Sequence, residues 1–126
     1  MKGITFLALI FLLGCKSEEN SLFSEYRNQA FRDVEADSVK TFTYGLPFIY
    51  PDSVKAKKQL LNKKKIDSIY KRYGLYKKNL GCTIGDRELD KATKEYHRIT
   101  DSYLDKRNGA GWKEKLSKEI DFVNEN

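Results

Sequence analysis

His97 and Asp101 stand four residues apart, the spacing at which one helix face lets a carboxylate orient an imidazole for general-base work beside a nucleophilic serine or cysteine. His97 is the only histidine in the chain. A His-rich metal site therefore cannot be assembled, and Cys82 with one histidine supplies too few ligands for structural zinc. Asp86, Glu88 and Asp90 bring three carboxylates together at alternate positions, but the segment lacks the glycine and the twelfth-position glutamate of a calcium hand. Acids in a first helical turn complement the helix dipole, which suffices to explain them. Neither a Gly-rich phosphate loop nor a Gly-x-Ser-x-Gly turn occurs. The residues predict no catalytic set, no metal and no cofactor. A small enzyme using Cys82 or His97 is the alternative that this chemistry leaves open.

The start of the chain carries a different chemistry. One early cation, Lys2, precedes the apolar run Ile4 to Leu13, which stops at Gly14-Cys15 before the polar Lys16-Ser17-Glu18-Glu19. Ten apolar residues are about half of the roughly 20 that a spanning helix needs, so the run is a secretory signal by length and flanks. Leu12-Leu13-Gly14-Cys15 resembles the lipobox of bacterial lipoproteins, in which cleavage before the cysteine leaves its sulfur carrying a diacylglycerol and its amine acylated. The resemblance implies a signal peptide over residues 1–14 and lipidation at Cys15. It also implies a tether over residues 15–21 and one small domain over residues 22–126. Each buried methylene contributes about 0.8 kcal/mol, so several acyl chains hold permanently where one holds marginally. Lys16 to Glu19 further resembles the export tag of Bacteroidota lipoproteins, which implies the outer membrane and its outer face.

Charge is concentrated in one stretch. Lys55, Lys57, Lys58, Lys63, Lys64, Lys65, Lys71, Arg72, Lys77 and Lys78 face the one acid Asp67, a local net of +9 in a chain whose whole net is +6. In the cytosol such a run with interleaved tyrosines would suggest nucleic acid. Export redirects it: outside the cell the polyanions are lipid headgroups, lipopolysaccharide phosphates, acidic glycans and acidic protein surfaces. The expected partners are thus a membrane, through the lipid anchor, and an acidic protein or anionic envelope surface, with no nucleic acid. The plain alternative is a solvated helix face kept soluble by lysine. A narrower expectation is an immunity or inhibitor lipoprotein that neutralises a toxin or hydrolase.

The elements that must position these residues alternate helix, strand, helix, strand, helix, helix. Phe23, Tyr26, Ala30 and Val34 make one helical stripe, with Ser24 as a cap. Val39 to Tyr44 is β-branched and aromatic and ends at Gly45 to Pro47, predicting a short strand. Pro51-Asp52-Ser53 starts a second helix and Gly74 closes it. Its expected inner stripe is Val54, Leu61, Ile66, Ile69 and Tyr73, with Lys58 and Lys65 on the same face. Either those lysines snorkel along the core edge or the helix breaks near Asn62.

From Tyr76 to Ile84, alternation places Tyr76, Leu80, Cys82 and Ile84 together and predicts a buried Cys82. Leu89, Tyr96 and Tyr103, with Ala92 and Ile99 between them, predict a helix from Asp86 to Lys106, which turns His97 and Asp101 toward solvent. Trp112, Leu116, Ile120 and Val123 predict a short last helix, joined to the previous one as an αα-hairpin with Trp112 between them. Two strands flanking a helix of about 20 residues are the size of a βαβ unit. The expected class is α+β, with a small two-stranded sheet packed by helices.

The mature region also resembles small uncharacterised lipoproteins of Bacteroidota. The likeness rests on Tyr73-Gly74, on Leu80-Gly81-Cys82, on Tyr96 and Tyr103-Leu104, and on Arg107-Asn108-Gly109 with Trp112, over roughly the last sixty residues. It implies a location in the envelope and no assigned activity.

Overall fold

The computed structural model of the chain describes residues 21–83 and 85–126. The signal over residues 1–14, Cys15 and the charged tether as far as residue 20 lie outside the described residues. The elements are α1 (Ser21–Glu35), β1 (Val39–Thr43), α2 (Ser53–Arg72), β2 (Leu75–Asn79), α3 (Arg87–Asn108) and α4 (Trp112–Glu125). Mixed α+β is thus the class. Among the described residues no helix is long and apolar enough to cross a membrane.

Local chemistry accounts for most boundaries. The Asp52 carboxylate accepts from the amides of Val54 and Lys55, both at 2.9 Å, and Asp86 does the same for Glu88 and Leu89 at 3.1 Å. Each cap satisfies two of the amides that open a helix without partners. Gly74, with φ +75°, ends α2 in the left-handed region that other residues resist. Ser24 is not a cap: α1 already runs from Ser21, so Ser24 lies inside it.

β1 and β2 pair in parallel, in the register Val39↔Leu75 through Thr43↔Asn79, with α2 as the crossover. β2 is shorter than the alternation suggested. Beyond Thr43, whose carbonyl accepts from Leu80, one more backbone bond joins the Gly45 amide to the Gly81 carbonyl at 2.9 Å, and the Asn79 side chain accepts from the Gly81 amide at 2.6 Å, so pairing stops short of Cys82. The expected apolar face of Tyr76, Leu80, Cys82 and Ile84 therefore does not form. Leu75 is the buried residue of β2, Tyr76 and Cys82 are exposed, and Ile84 lies outside the described residues. Cys82 should accordingly react with a bulky maleimide in the folded protein at the rate of a free cysteine. Labelling that waits for denaturant would return the thiol to the interior.

The core gathers Ala30, Val39, Ile69, Leu75, Tyr96, Leu104, Trp112 and Leu116. α3 supplies its central side chains and packs most closely against α1, while α4 packs against α2. α3 and α4 are joined through the tight Gly109-Ala110-Gly111 turn in hairpin fashion. Trp112 is buried just after that turn, with its indole N–H donating to Asp105 at 2.8 Å. The heptad on α3 is thus explained by partners within the chain, α1 more than α4.

α2 is one continuous helix, unbroken at Asn62. Its inward residues are Asn62, Ile66, Ile69 and Tyr70, and Asn62 donates to the Val123 carbonyl at 3.2 Å. Val54 and Leu61 face solvent instead of the core, and Lys58 and Lys65 are exposed as well. A helix with lysines at so many phases has two candidate apolar arcs, and packing on β2 and α4 selected the one through Ile66 and Ile69.

Two polar clusters brace the fold. Asp33 is buried and accepts from Tyr96 Oη at 2.6 Å and from Gln29 Nε2 at 2.7 Å, with Lys40 Nζ at 3.7 Å. Tyr96 Oη in turn accepts from the Lys40 amide at 2.7 Å, satisfying a β1 backbone donor. Burial and the Asp33 hydrogen bond push the Tyr96 phenol well above its ordinary range. In the second cluster Asp37 accepts from Arg107 Nε and Nη2 at 2.5 and 2.8 Å and from Tyr103 Oη at 2.6 Å. Arg107 also donates to the Arg72 carbonyl, and Asn108 Nδ2 donates to that of Tyr73, so α1, α2 and α3 meet there.

These contacts orient the molecule. Arg27 faces Glu95 and Asp37 faces Arg107, so α1 and α3 run side by side in the same direction. β1 returns antiparallel to α1, carrying Phe42 back to Tyr26 at a ring separation of 5.7 Å. The Asp37 cluster therefore occupies one end. The start of α1, the end of β1 and the start of α2 share the other.

Candidate functional site

Each of the ten basic residues from Lys55 to Lys78 is exposed, eight on or beside the outer surface of α2 and Lys77 and Lys78 on β2. At 100° per residue, Lys57, Lys64 and Lys71 fall in one row opposite the buried Ile66 and Ile69, and Lys58, Lys65 and Arg72 fall in a second row beside it. Between the rows lie Val54 and Leu61, both exposed. Successive cations in a row are about 10 Å apart, close to the screening length in physiological salt. Mutual repulsion is thereby softened, while a polyanion laid along the helix meets both rows at once. Lys63 lies to one side of the rows, and Lys55 shares the phase of Ile66 but is exposed in the first turn.

Few of these charges are neutralised inside the fold. Among the described residues only Arg72 of the ten forms an ion pair, with Glu119, which also accepts from Tyr73 Oη at 2.7 Å. The Tyr73 hydroxyl and then Arg72 hold the Glu119 carboxyl below the usual carboxylate range. Tyrosine rings organise two more of these amines, and Lys40 beside them. Lys71 Nζ and Lys40 Nζ lie 5.9 and 5.4 Å from the Tyr76 ring, and Lys77 Nζ lies 4.7 Å from that of Tyr70. Such cation–π contacts cost the lysines none of their charge. The surface that results is cationic and partly preorganised, with Asp67 the one acid within the stretch and Glu119 of α4 at its edge.

The candidates for catalysis are separated. His97 is half-buried against Phe42, at a ring separation of 5.5 Å, because β1 lies on that flank of α3. The expectation that it faces solvent is therefore corrected, whereas Asp101 is exposed. Both line an open cavity of ≈ 320 Å³ between β1 and α4, with Val39, Tyr70, Trp112 and Ser117 among its walls. Among the described residues no hydrogen bond joins His97 to Asp101, to Ser117 or to Cys82. No group of three or more residues able to hold a metal occurs among them either. The cavity is floored by core side chains, and its polar atoms are not linked into an acid–base relay.

One feature of this face was not singled out in the sequence. The connection from β1 to α2 presents Leu46, Phe48, Ile49 and Tyr50 to solvent. Its signal was legible: an apolar run interrupted by Pro47 and closed by Pro51 can join neither a strand interior nor a helix, so nothing regular can bury it. The loop is nevertheless held. Gln59 Nε2 donates to the Phe48 carbonyl at 2.5 Å, the Tyr50 amide donates to Gln59 Oε1 at 3.4 Å, and the Phe48 and Tyr50 rings meet edge-on at 5.0 Å. Comparison of the chain with protein-family models, with characterised proteins and with solved structures finds no match.

Proposed function

We propose that this protein is a lipid-anchored component of the bacterial outer membrane, held through Cys15, and that it works as a non-enzymatic binding module through the cationic face of α2 and β2. The single observation that carries the binding half is the pair of exposed rows, Lys57-Lys64-Lys71 and Lys58-Lys65-Arg72, in which only Arg72 is ion-paired among the described residues. A solvated helix that merely needed solubility would be served by mixed signs, as on α3, where Lys91 pairs with Glu88 and Arg98 with Glu95. The anchor rests on the lipobox Leu12-Leu13-Gly14-Cys15 after its apolar run. The partner it favours is anionic, an acidic protein or a polyanionic envelope surface.

Each half has its own test. Labelled palmitate should enter the chain and should not enter a Cys15→Ala variant. For binding, heparin can serve as a soluble polyanion presented to the detergent-solubilised full chain. Each lysine near an anionic surface contributes about 1 kcal/mol, so the triple variant Lys57→Glu, Lys64→Glu, Lys71→Glu should lower affinity by about a hundredfold or more. Equal retention of variant and parent would take the rows out of the function.

A further inference from the structure

The same surface identifies its partner more closely, on the premise that Cys15 is lipidated. We infer that the β1–α2 loop, Leu46 to Tyr50, and the opening turns of α2 together form a membrane-docking wedge, whose ligand is the anionic headgroup layer of a lipid bilayer with the loop side chains inserted at its acyl boundary.

Four observations converge on this. The loop is apolar and exposed: Leu46 is 84% exposed and Ile49 71%, with Phe48 and Tyr50 beside them. A soluble surface seldom concentrates side chains of this size without an apolar partner. Aromatic and aliphatic tips with a polar handle, such as Tyr50, are suited to the boundary between headgroups and acyl chains. The wedge is also prepared in advance, since the Gln59 contacts to the Phe48 and Tyr50 backbone hold the loop against α2. Insertion then carries little ordering cost.

Charge supplies the second component. Lys55, Lys57 and Lys58 follow the loop directly on the opening turns of α2, beside the exposed Val54. Cations around an apolar tip suit an anionic interface, with the lysines among the headgroups and the tip directed inward by about 5–10 Å. An acidic protein would complement the rows but offers nothing in particular to a protruding apolar loop.

Geometry supplies the last. The start of α1 lies at the same end of the molecule as the loop, because β1 returns antiparallel to α1 and brings Phe42 beside Tyr26. From Cys15 to Ser21 the chain spans at most about 20 Å even when fully extended. A lipid on Cys15 therefore keeps this end of the domain within reach of the bilayer.

The test uses the full chain reconstituted in vesicles of phosphatidylcholine with or without phosphatidylglycerol, with bromine on the acyl chains as a contact quencher. In the parent chain Trp112 is the only tryptophan and is buried, so its quenching sets the baseline. Phe48→Trp should add emission that the brominated lipid quenches at least twofold more strongly than that baseline in anionic vesicles. Adding Lys55→Glu, Lys57→Glu and Lys58→Glu should reduce the excess. Leu46→Trp provides a second reporter at a side chain that packs less, should Phe48→Trp disturb its contact with Tyr50.

No excess quenching at either position, in a chain whose intact mass includes the acyl groups, would overturn the wedge while leaving the anchor in place. Excess quenching in an unacylated chain would uphold the wedge and remove the anchor. Equal quenching without phosphatidylglycerol would overturn the anionic assignment. A reporter that becomes shielded without lipid as a dimer forms would overturn it in favour of a second copy.

Discussion

Tyr96→Phe is expected to destabilise the fold by about 3 kcal/mol, since it orphans two buried groups at once and a hydrogen bond to a buried charge is worth about 1.5–3 kcal/mol. The substitution removes one oxygen and no packing volume. That oxygen donates to Asp33 Oδ2 at 2.6 Å and accepts from the Lys40 amide at 2.7 Å. Asp33 is 4% exposed, so water cannot replace the lost donor, and Gln29 and Lys40 are left as its partners. The backbone amide of Lys40 sits on the side of β1 that β2 does not cover, where Tyr96 is its acceptor. In thermal unfolding the loss corresponds to a fall of roughly 10–15 °C in Tm for a domain of this size. A double-mutant cycle with Asp33→Asn should show strong coupling, because once the carboxylate is gone the phenol has less to satisfy. A Tyr96→Phe protein within about 0.5 kcal/mol of the parent would mean that this network is decorative.

Gly74→Ala should cost a comparable amount, about 3 kcal/mol, of which roughly 1–2 kcal/mol is the left-handed backbone itself and the remainder the broken Asp37–Arg107 pair. A Cβ at Gly74 would lie 2.7 Å from Arg107 Nε and 2.8 Å from Asp37 Oδ1, inside the bidentate contact. Gly111 is the internal control: its φ of +74° is the same strain, yet a Cβ there meets nothing within 4 Å. Chemical denaturation should therefore place Gly111→Ala near the backbone cost alone and Gly74→Ala well beyond it. Equal losses in the two variants would show that the polar junction adds nothing.

The same junction has a pH signature. Hydrogen bonds from Arg107, and then from Tyr103, hold the Asp37 carboxyl below the usual carboxylate range. A group depressed in the folded state stabilises above its unfolded value and loses that contribution as pH falls through its folded value. The parent should thus weaken from about pH 4 downward, and the gap between it and Gly74→Ala should narrow over the same interval. Tyr73, Gly74, Tyr103, Arg107, Asn108 and Trp112 all converge on this end of the fold, where α1, α2, α3 and α4 pack together.

What the sequence by itself determined is what short-range chemistry decides. Asp52 and Asp86 cap helices because a carboxylate needs only the next two or three amides. Gly74 and Gly109 close helices because only glycine takes a positive φ without strain, and the α3 stripe of Leu89, Ala92 and Tyr96 is inward because just one of its arcs is apolar. The lysine run is likewise a property of consecutive residues.

Tertiary structure decided whatever depended on a distant partner. Whether Cys82 is buried turned on where β1 stops, forty residues earlier in the chain, since a strand without a neighbour leaves its ladder. Which arc of α2 faces inward turned on β2 and α4, because lysines at nearly every phase blurred the periodicity. His97 became half-buried because β1 happens to cover that side of α3, and Asp33, a charged residue that patterning assigns to solvent, went inside because Tyr96, Gln29 and Lys40 converge on it. The two cationic rows and the apolar line between them exist only once α2 is an unbroken helix with its phase set. Charge can be counted along a chain, but a surface on which it acts is made by the packing that chooses which side is left outside.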